Sequence, residues 1–123
     1  MNVLIDARNP IEYLRLRRIA GELSGVNVYR TQFFLRGKLQ RHYDVIVYAR
    51  SDNENMAAAE QWQCSWGKTI VILIMDSEDK HLEAMHFHVF DYLTRPLSEA
   101  DFAQSLRDAT EYFAGRFRPN KAL

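Results

Sequence analysis

Residues 90–102 read FDYLTRPLSEADF, an aromatic and β-branched run that delivers a guanidinium, Arg95, against a proline and a Ser-Glu-Ala-Asp helix start. A cation fixed at the end of a strand suits a bound anion or a developing negative charge, so the groups that would complete such a site must be sought elsewhere in the chain. Asp6 and Asp76 each close an apolar run, Asp44 opens one, and Asp52 lies in a polar stretch. His81, His86 and His88 with Asp79 and Glu83 hint at a metal site. Residues 86 and 88, however, straddle a helix end, and no second ligand cluster supplies the convergent geometry a metal needs. No cofactor or metal is expected. Cys64 sits between Trp62 and Trp66 without a basic neighbour and reads as an inert thiol. The turn DARNP after the first apolar run has no glycine, which argues against a dinucleotide or P-loop site. Arg15, Arg17 and Arg18, with Glu12 and Glu22 close by, read as a solvated helix face rather than a nucleic-acid patch.

Composition narrows the partners. A chain of 123 residues that is 47% hydrophobic supports one domain with a proper core. Sixteen basic and sixteen acidic side chains cancel, leaving no overall field for nucleic acid or anionic membrane. No apolar run approaches the roughly 20 residues of a membrane span, and MNVLIDARNP lacks the layout of a signal peptide. A single cysteine forms no internal disulfide, in keeping with a reducing compartment, and the expected location is the cytoplasm.

The elements that must position Arg95 and the acids alternate in type. Strands are expected at Met1–Ile5, Val26–Tyr29, Val45–Ala49, Ile70–Met75 and Phe90–Thr94. The fourth is a continuous apolar run of the kind covered on both faces in a parallel sheet. Helices are expected after Asn9-Pro10, with Tyr13, Leu16, Ile19, Ala20 and Leu23 at helical spacing, then over Phe33–His42, Met56–Gln63 and Glu78–Phe87, and finally from Ser98 to Gly115. The last carries a core stripe of Phe102, Leu106, Ala109 and Phe113, and Asp76 is expected to cap the fourth. Five strands alternating with five helices imply right-handed crossovers and a doubly wound, five-stranded parallel sheet, whose functional edge is the carboxyl end of the strands. Residues 1–115 form the domain, and 116–123 read as a tail or the start of an interdomain linker.

With that order in place, DYLTRP at 91–96 resembles the DYLxKP closing motif of the receiver domains of bacterial two-component response regulators. LID at 4–6 and YDVIVY at 43–48 resemble the same family's first and third strands. The resemblance spans the whole chain, implies a flavodoxin-like α/β fold, and is nearest in style to regulators carrying a LytTR-type DNA-binding domain. It also implies a phosphorylation pocket, and here that pocket is degenerate. The nucleophile position falls on Ala49, the acidic pair on Asp6 and Ala7, the hydroxyl position on Ile74 and the cation position on Arg95, while Tyr92 matches the switch aromatic. A methyl group cannot attack phosphorus, and one carboxylate is a poor cage for Mg²⁺. Asp44 lies at the far end of its strand, roughly 16 Å from Ala49 at about 3.3 Å per residue. Asp52, expected in a mobile loop, is the alternative nucleophile.

The resemblance therefore implies a receiver-like, non-enzymatic regulatory domain that works without phosphorylation, through a protein partner or a homodimer. The family's usual pairing surface, formed by its fourth helix, fifth strand and fifth helix, would here include Glu83, Phe87, Tyr92, Arg95, Arg107 and Glu111. The domain itself would touch neither nucleic acid nor membrane. Two alternatives stand beside this: phosphorylation at Asp52, or an uncharged small ligand in the space vacated at Ala7, Ala49 and Ile74.

Overall fold

The computed structural model describes residues 1–31, 42–63 and 69–116. The elements are β1 (Asn2–Ala7), α1 (Pro10–Gly21), β2 (Asn27–Arg30), β3 (Val45–Ala49), α2 (Asp52–Gln63), β4 (Ile70–Met75), a 3-10 turn (Glu78–Lys80), α3 (His81–His86), β5 (Asp91–Thr94) and α4 (Glu99–Phe113). The sheet is wholly parallel with order β2-β1-β3-β4-β5. That is the doubly wound arrangement expected from the alternation, with its switch point between β1 and β3.

Strand chemistry explains the layering. Five of the six residues of β4 are buried, because helices cover both faces of a central parallel strand. Alternate residues feed two cores. Val3, Ile5, Val47, Ala49, Ile72 and Ile74 face α1 and α4, meeting Leu16, Phe102 and Leu106. Val71, Leu73, Met75 and Tyr92 face α2 and α3, meeting Met56, Ala59 and Ala84. Each fully buried side chain of this size stabilises the fold by about 1.5–3 kcal/mol, so Leu16→Ala, which also leaves a cavity, costs about 2–5 kcal/mol. No helix among the described residues is long and apolar enough to cross a membrane.

Local signals set the helix starts. The Asn9 side-chain oxygen accepts from the N–H groups of Ile11 (2.8 Å) and Glu12 (3.2 Å), and Pro10 occupies the first turn, where its missing N–H costs nothing. Ser98 accepts from Asp101 N–H at 3.2 Å to start α4. Three expectations are corrected. The helix of Glu78–Phe87 is a 3-10 turn followed by the short α3, and its cap is Ser77, whose hydroxyl accepts from Asp79 N–H, not Asp76. α2 begins four residues earlier than expected, so Asp52 lies on a helix and not in a loop. Arg15 and Arg18 are exposed as expected, and both also reach Glu99 on α4, at 3.2 and 2.7 Å. Phe113 is only half-buried at the end of its stripe. The helix expected over Phe33–His42, Cys64, Trp66 and most of the tail lie outside the described residues.

Candidate functional site

The carboxyl ends of β1 and β3 bring Ala7 and Ala49 side by side in register. The open cleft above them is lined by Arg8, Asn9, Pro10, Ile11, Glu12, Ala49, Arg50, Ser51, Asp76 and Arg95. Where a nucleophilic carboxylate would need acceptor oxygens, the floor carries the methyl group of Ala49, and Ala7 beside it packs against the core.

The ionic groups around this floor are spent on each other. The Arg95 backbone N–H donates to Met75 C=O at 2.7 Å, carrying the side chain back over the sheet end. Its guanidinium grips Glu12 through Nε and Nη2, both at 2.9 Å, reaches Asp76 through Nη1 at 3.0 Å, and donates to Arg50 C=O at 3.2 Å. Both Arg95 and Glu12 side chains are more than three-quarters buried. The planar fork satisfies Glu12 in two parallel bonds that a lysine ammonium cannot reproduce. The hydrogen bond to Glu12, outweighing burial, raises the Arg95 pKa further, so it is cationic at every accessible pH.

A second arginine closes the other side. Arg50 Nε donates to Asp6 at 2.6 Å and Nη1 reaches Glu54 at 3.4 Å. The bond to Asp6 leads the causes that raise the Arg50 pKa. Asp6, the one acid left from the expected metal pair, is thus bound by a guanidinium, in a separate open pocket lined also by Tyr48, Arg50 and Glu54. Ser51 Oγ donates to Glu54 at 2.8 Å, the largest influence holding that carboxyl below its usual range, and exposed Arg8 reaches Glu54 at 3.2 Å. No group of three or more His, Cys, Asp or Glu among the described residues is arranged to hold a metal ion.

Asp52 is fixed rather than mobile. Its two carboxylate oxygens accept from the backbone N–H groups of Asp76 (2.7 Å) and Ser77 (3.1 Å), directly after β4. Asn55, fully buried one turn on, accepts from Arg50 N–H at 3.0 Å and donates to Ile74 C=O at 2.8 Å, stitching α2 to β3 and β4. Tyr92 is 8% exposed, donates its hydroxyl to Ser77 C=O, and stacks on His81 with ring centroids 4.8 Å apart. Burial is the leading cause of the upward shift of its phenol pKa.

Ile74 shares the α1 and α4 face with Ala49 but is fully buried in the core and does not line the cleft, while the next residue, Met75, lies on the face of Tyr92. The proposed pairing residues also separate. Glu83 and Arg107 are exposed, Phe87 is half-buried, and Glu111 pairs with Arg116 at 2.8 Å. Tyr92 and Arg95 are consumed inside the domain. Leu82 (76% exposed) and Tyr112 (47%), unremarked in the sequence, lie on α3 and α4 instead. The sequence marks Glu12 only as a neighbour of the α1 arginines and gives Arg50 and Asn55 no role in the site. Their only signals are a first-turn acid, a residue adjoining Ala49, and a polar side chain among the alanines of α2.

No protein-family model matches the chain, and no curated protein sequence does. Solved structures do. The response regulatory domain of MrkE from Klebsiella pneumoniae superposes with a TM-score of 0.79 at 17% identity, over 94% of this chain and 99% of that one. A putative pilus assembly protein, CpaE, from Burkholderia thailandensis gives 0.72 at 23% identity, over 90% and 98%. An orphan response regulator of H. pylori gives 0.68 at 18% identity, over 96% and 97%. The chain therefore has the fold of response-regulator receiver domains.

Proposed function

We propose that this receiver-fold domain is a regulatory module that acts without phosphorylation, by binding another protein chain. The observation that carries the reading is the cleft closed from within: Ala49 where the nucleophile would stand, with Asp6 held by Arg50 and Arg95 held by Glu12 and Asp76. An incoming phosphoryl group would meet no nucleophile and no free cation, and Mg²⁺ would compete with an arginine for a single carboxylate. In this reading the domain is the non-enzymatic regulatory part of a transcription regulator and does not itself touch DNA. Incubation with a small phosphodonor and Mg²⁺, followed by intact-mass measurement, should show no added phosphoryl group. A stoichiometric gain at any residue would overturn the reading.

The partner we favour is a second copy, through the surface of α3, β5 and α4. Exposed Leu82 and Tyr112 supply apolar area there, and Glu83, Arg107 and Glu111 supply mixed charge suited to a two-fold contact. Arg107→Glu should weaken self-association in sedimentation equilibrium, and a strictly monomeric wild type at high micromolar concentration would count against the dimer. Neither alternative gains support. Asp52 is engaged by two amides, and the cleft is lined by ion pairs, a poor host for an uncharged ligand.

A further inference from the structure

We infer that Asp52 is a built-in anion that latches the segment after β4, and through it the ring of Tyr92, into one arrangement. The inference rests on the closed cleft proposed above and concerns how that closed state is held. Two consecutive backbone amides, those of Asp76 and Ser77, converge on one carboxylate, the concave donor pair that favours a negative charge. The same two residues are engaged at their other polar groups: the Asp76 side chain by Arg95, the Ser77 hydroxyl by Asp79 N–H, and the Ser77 carbonyl by the Tyr92 hydroxyl. The carboxylate travels with α2, which Asn55 ties to β4, whereas the ring belongs to β5. Ser77 is thus the shared joint. Its N–H reports on Asp52 and its C=O holds Tyr92, so the position of an aromatic ring on one strand is biased by a carboxylate on a helix to which it makes no hydrogen bond.

The balance of interactions favours the latch over a passive contact. Asp76 is exposed, and an exposed amide in a turn ordinarily exchanges with water freely. Here it makes a charge-assisted bond of 2.7 Å. Without the carboxylate, nothing among the described residues replaces the acceptor for the Ser77 amide, the joint loosens, and the Tyr92 hydroxyl loses a fixed partner.

Nuclear magnetic resonance on the intact domain tests this. In the wild type the Asp76 and Ser77 amides should be protected from exchange despite their position, and the Tyr92 ring signals should carry the ring-current shift of the stacked His81. Asp52→Ala should speed exchange of both amides roughly tenfold to a hundredfold, the ratio expected on losing a hydrogen bond to a charged group, and should collapse the ring-current shift. Asp52→Asn, which keeps one acceptor oxygen, should lie between. Exchange at Leu73 and Ile46 in the central strands should not change. Unprotected amides in the wild type would overturn the latch even if Asp52→Ala failed to fold, and so would a Tyr92 ring indifferent to Asp52→Ala. Phosphoryl uptake in the mass experiment would sink the closed-cleft reading while leaving these exchange results intact, so the two failures are distinguishable.

Discussion

Arg95 and Glu12, 83 residues apart in the chain, meet over the sheet end through two parallel contacts of 2.9 Å. Both side chains are more than three-quarters buried in the cleft wall, so removing Arg95 strands the Glu12 carboxylate, and removing Glu12 leaves Arg95 with only exposed Asp76 as a counter-charge. Arg95→Ala and Glu12→Ala should each destabilise the domain by about 1–3 kcal/mol in urea unfolding. The double variant should cost less than their sum by about 1 kcal/mol or more. Strict additivity would mean that the pair is only a surface contact.

Restoring the missing carboxylate alone should not restore chemistry. Ala49→Asp supplies a nucleophile, but Ala7 still leaves a metal short of an acid and Arg95 remains bound to Glu12. Intact mass after phosphodonor treatment should be unchanged. Adding Ile74→Thr should not help either, because that side chain points into the core, where an unpaired hydroxyl costs about 1–3 kcal/mol. Phosphorylation of the single variant at a rate typical of receivers would show the cleft to be open.

Acid should loosen the seam between α1 and α4. The hydrogen bond from Arg18, then that from Arg15, holds Glu99 below the ordinary glutamate value of 4.5. A carboxylate depressed in the folded state contributes stability that is present above the unfolded pKa and is lost as pH falls through the folded one. Thermal unfolding of wild type and Glu99→Gln should therefore differ at pH 7 and converge as pH drops well below 4.5. Added salt at neutral pH should also narrow the gap, since these groups are solvent-exposed. A pH-independent difference would exclude the ion pairs as its cause.

Two positions work against the fold, and replacing them should help. His88 ends α3 with φ 60°, a left-handed conformation that costs a side-chain-bearing residue roughly 1 kcal/mol. His88→Gly should raise stability by about 0.5–1 kcal/mol. Ser105 is buried in α4 with its hydroxyl unpartnered among the described residues, so Ser105→Ala should stabilise by a similar amount, about 0.5–1 kcal/mol. A loss of stability in the serine variant would mean that the hydroxyl has a partner, such as buried water.

The layering was legible because it depends on local pattern: IVILIM reads as a central strand, Asn9-Pro10 as a helix start, and DYLTRP as the closing strand. That β3 ends in a methyl group at Ala49 was legible for the same reason, since it needs no coordinates. What replaced them was not. The Glu12 contact with Arg95 and the Asp52 contact with the Ser77 amide join residues whose proximity arises only when the sheet closes. Ile74 shows the sharper limit: it shares the face of Ala49, but in a run that is apolar throughout nothing in the sequence marks that its side chain ends in the core below the cleft. Arg15 and Arg18 are solvated as the sequence suggested, but their partner was hidden, because Glu99 arrives from the far end of the chain.

The arginines that fill the cleft bear on how such a domain is controlled. A group that can be attached can also be removed, and the interval between the two events gives a signal its duration. On the function proposed above, with Asp6 and Arg95 committed to neighbours in the same chain, a kinase has nothing to write and a phosphatase nothing to erase. The occupancy of the partner then follows mass action alone, rising with the concentrations of the two chains relative to Kd. The response is governed by copy number and dilution, and ends only when the protein itself is diluted or degraded.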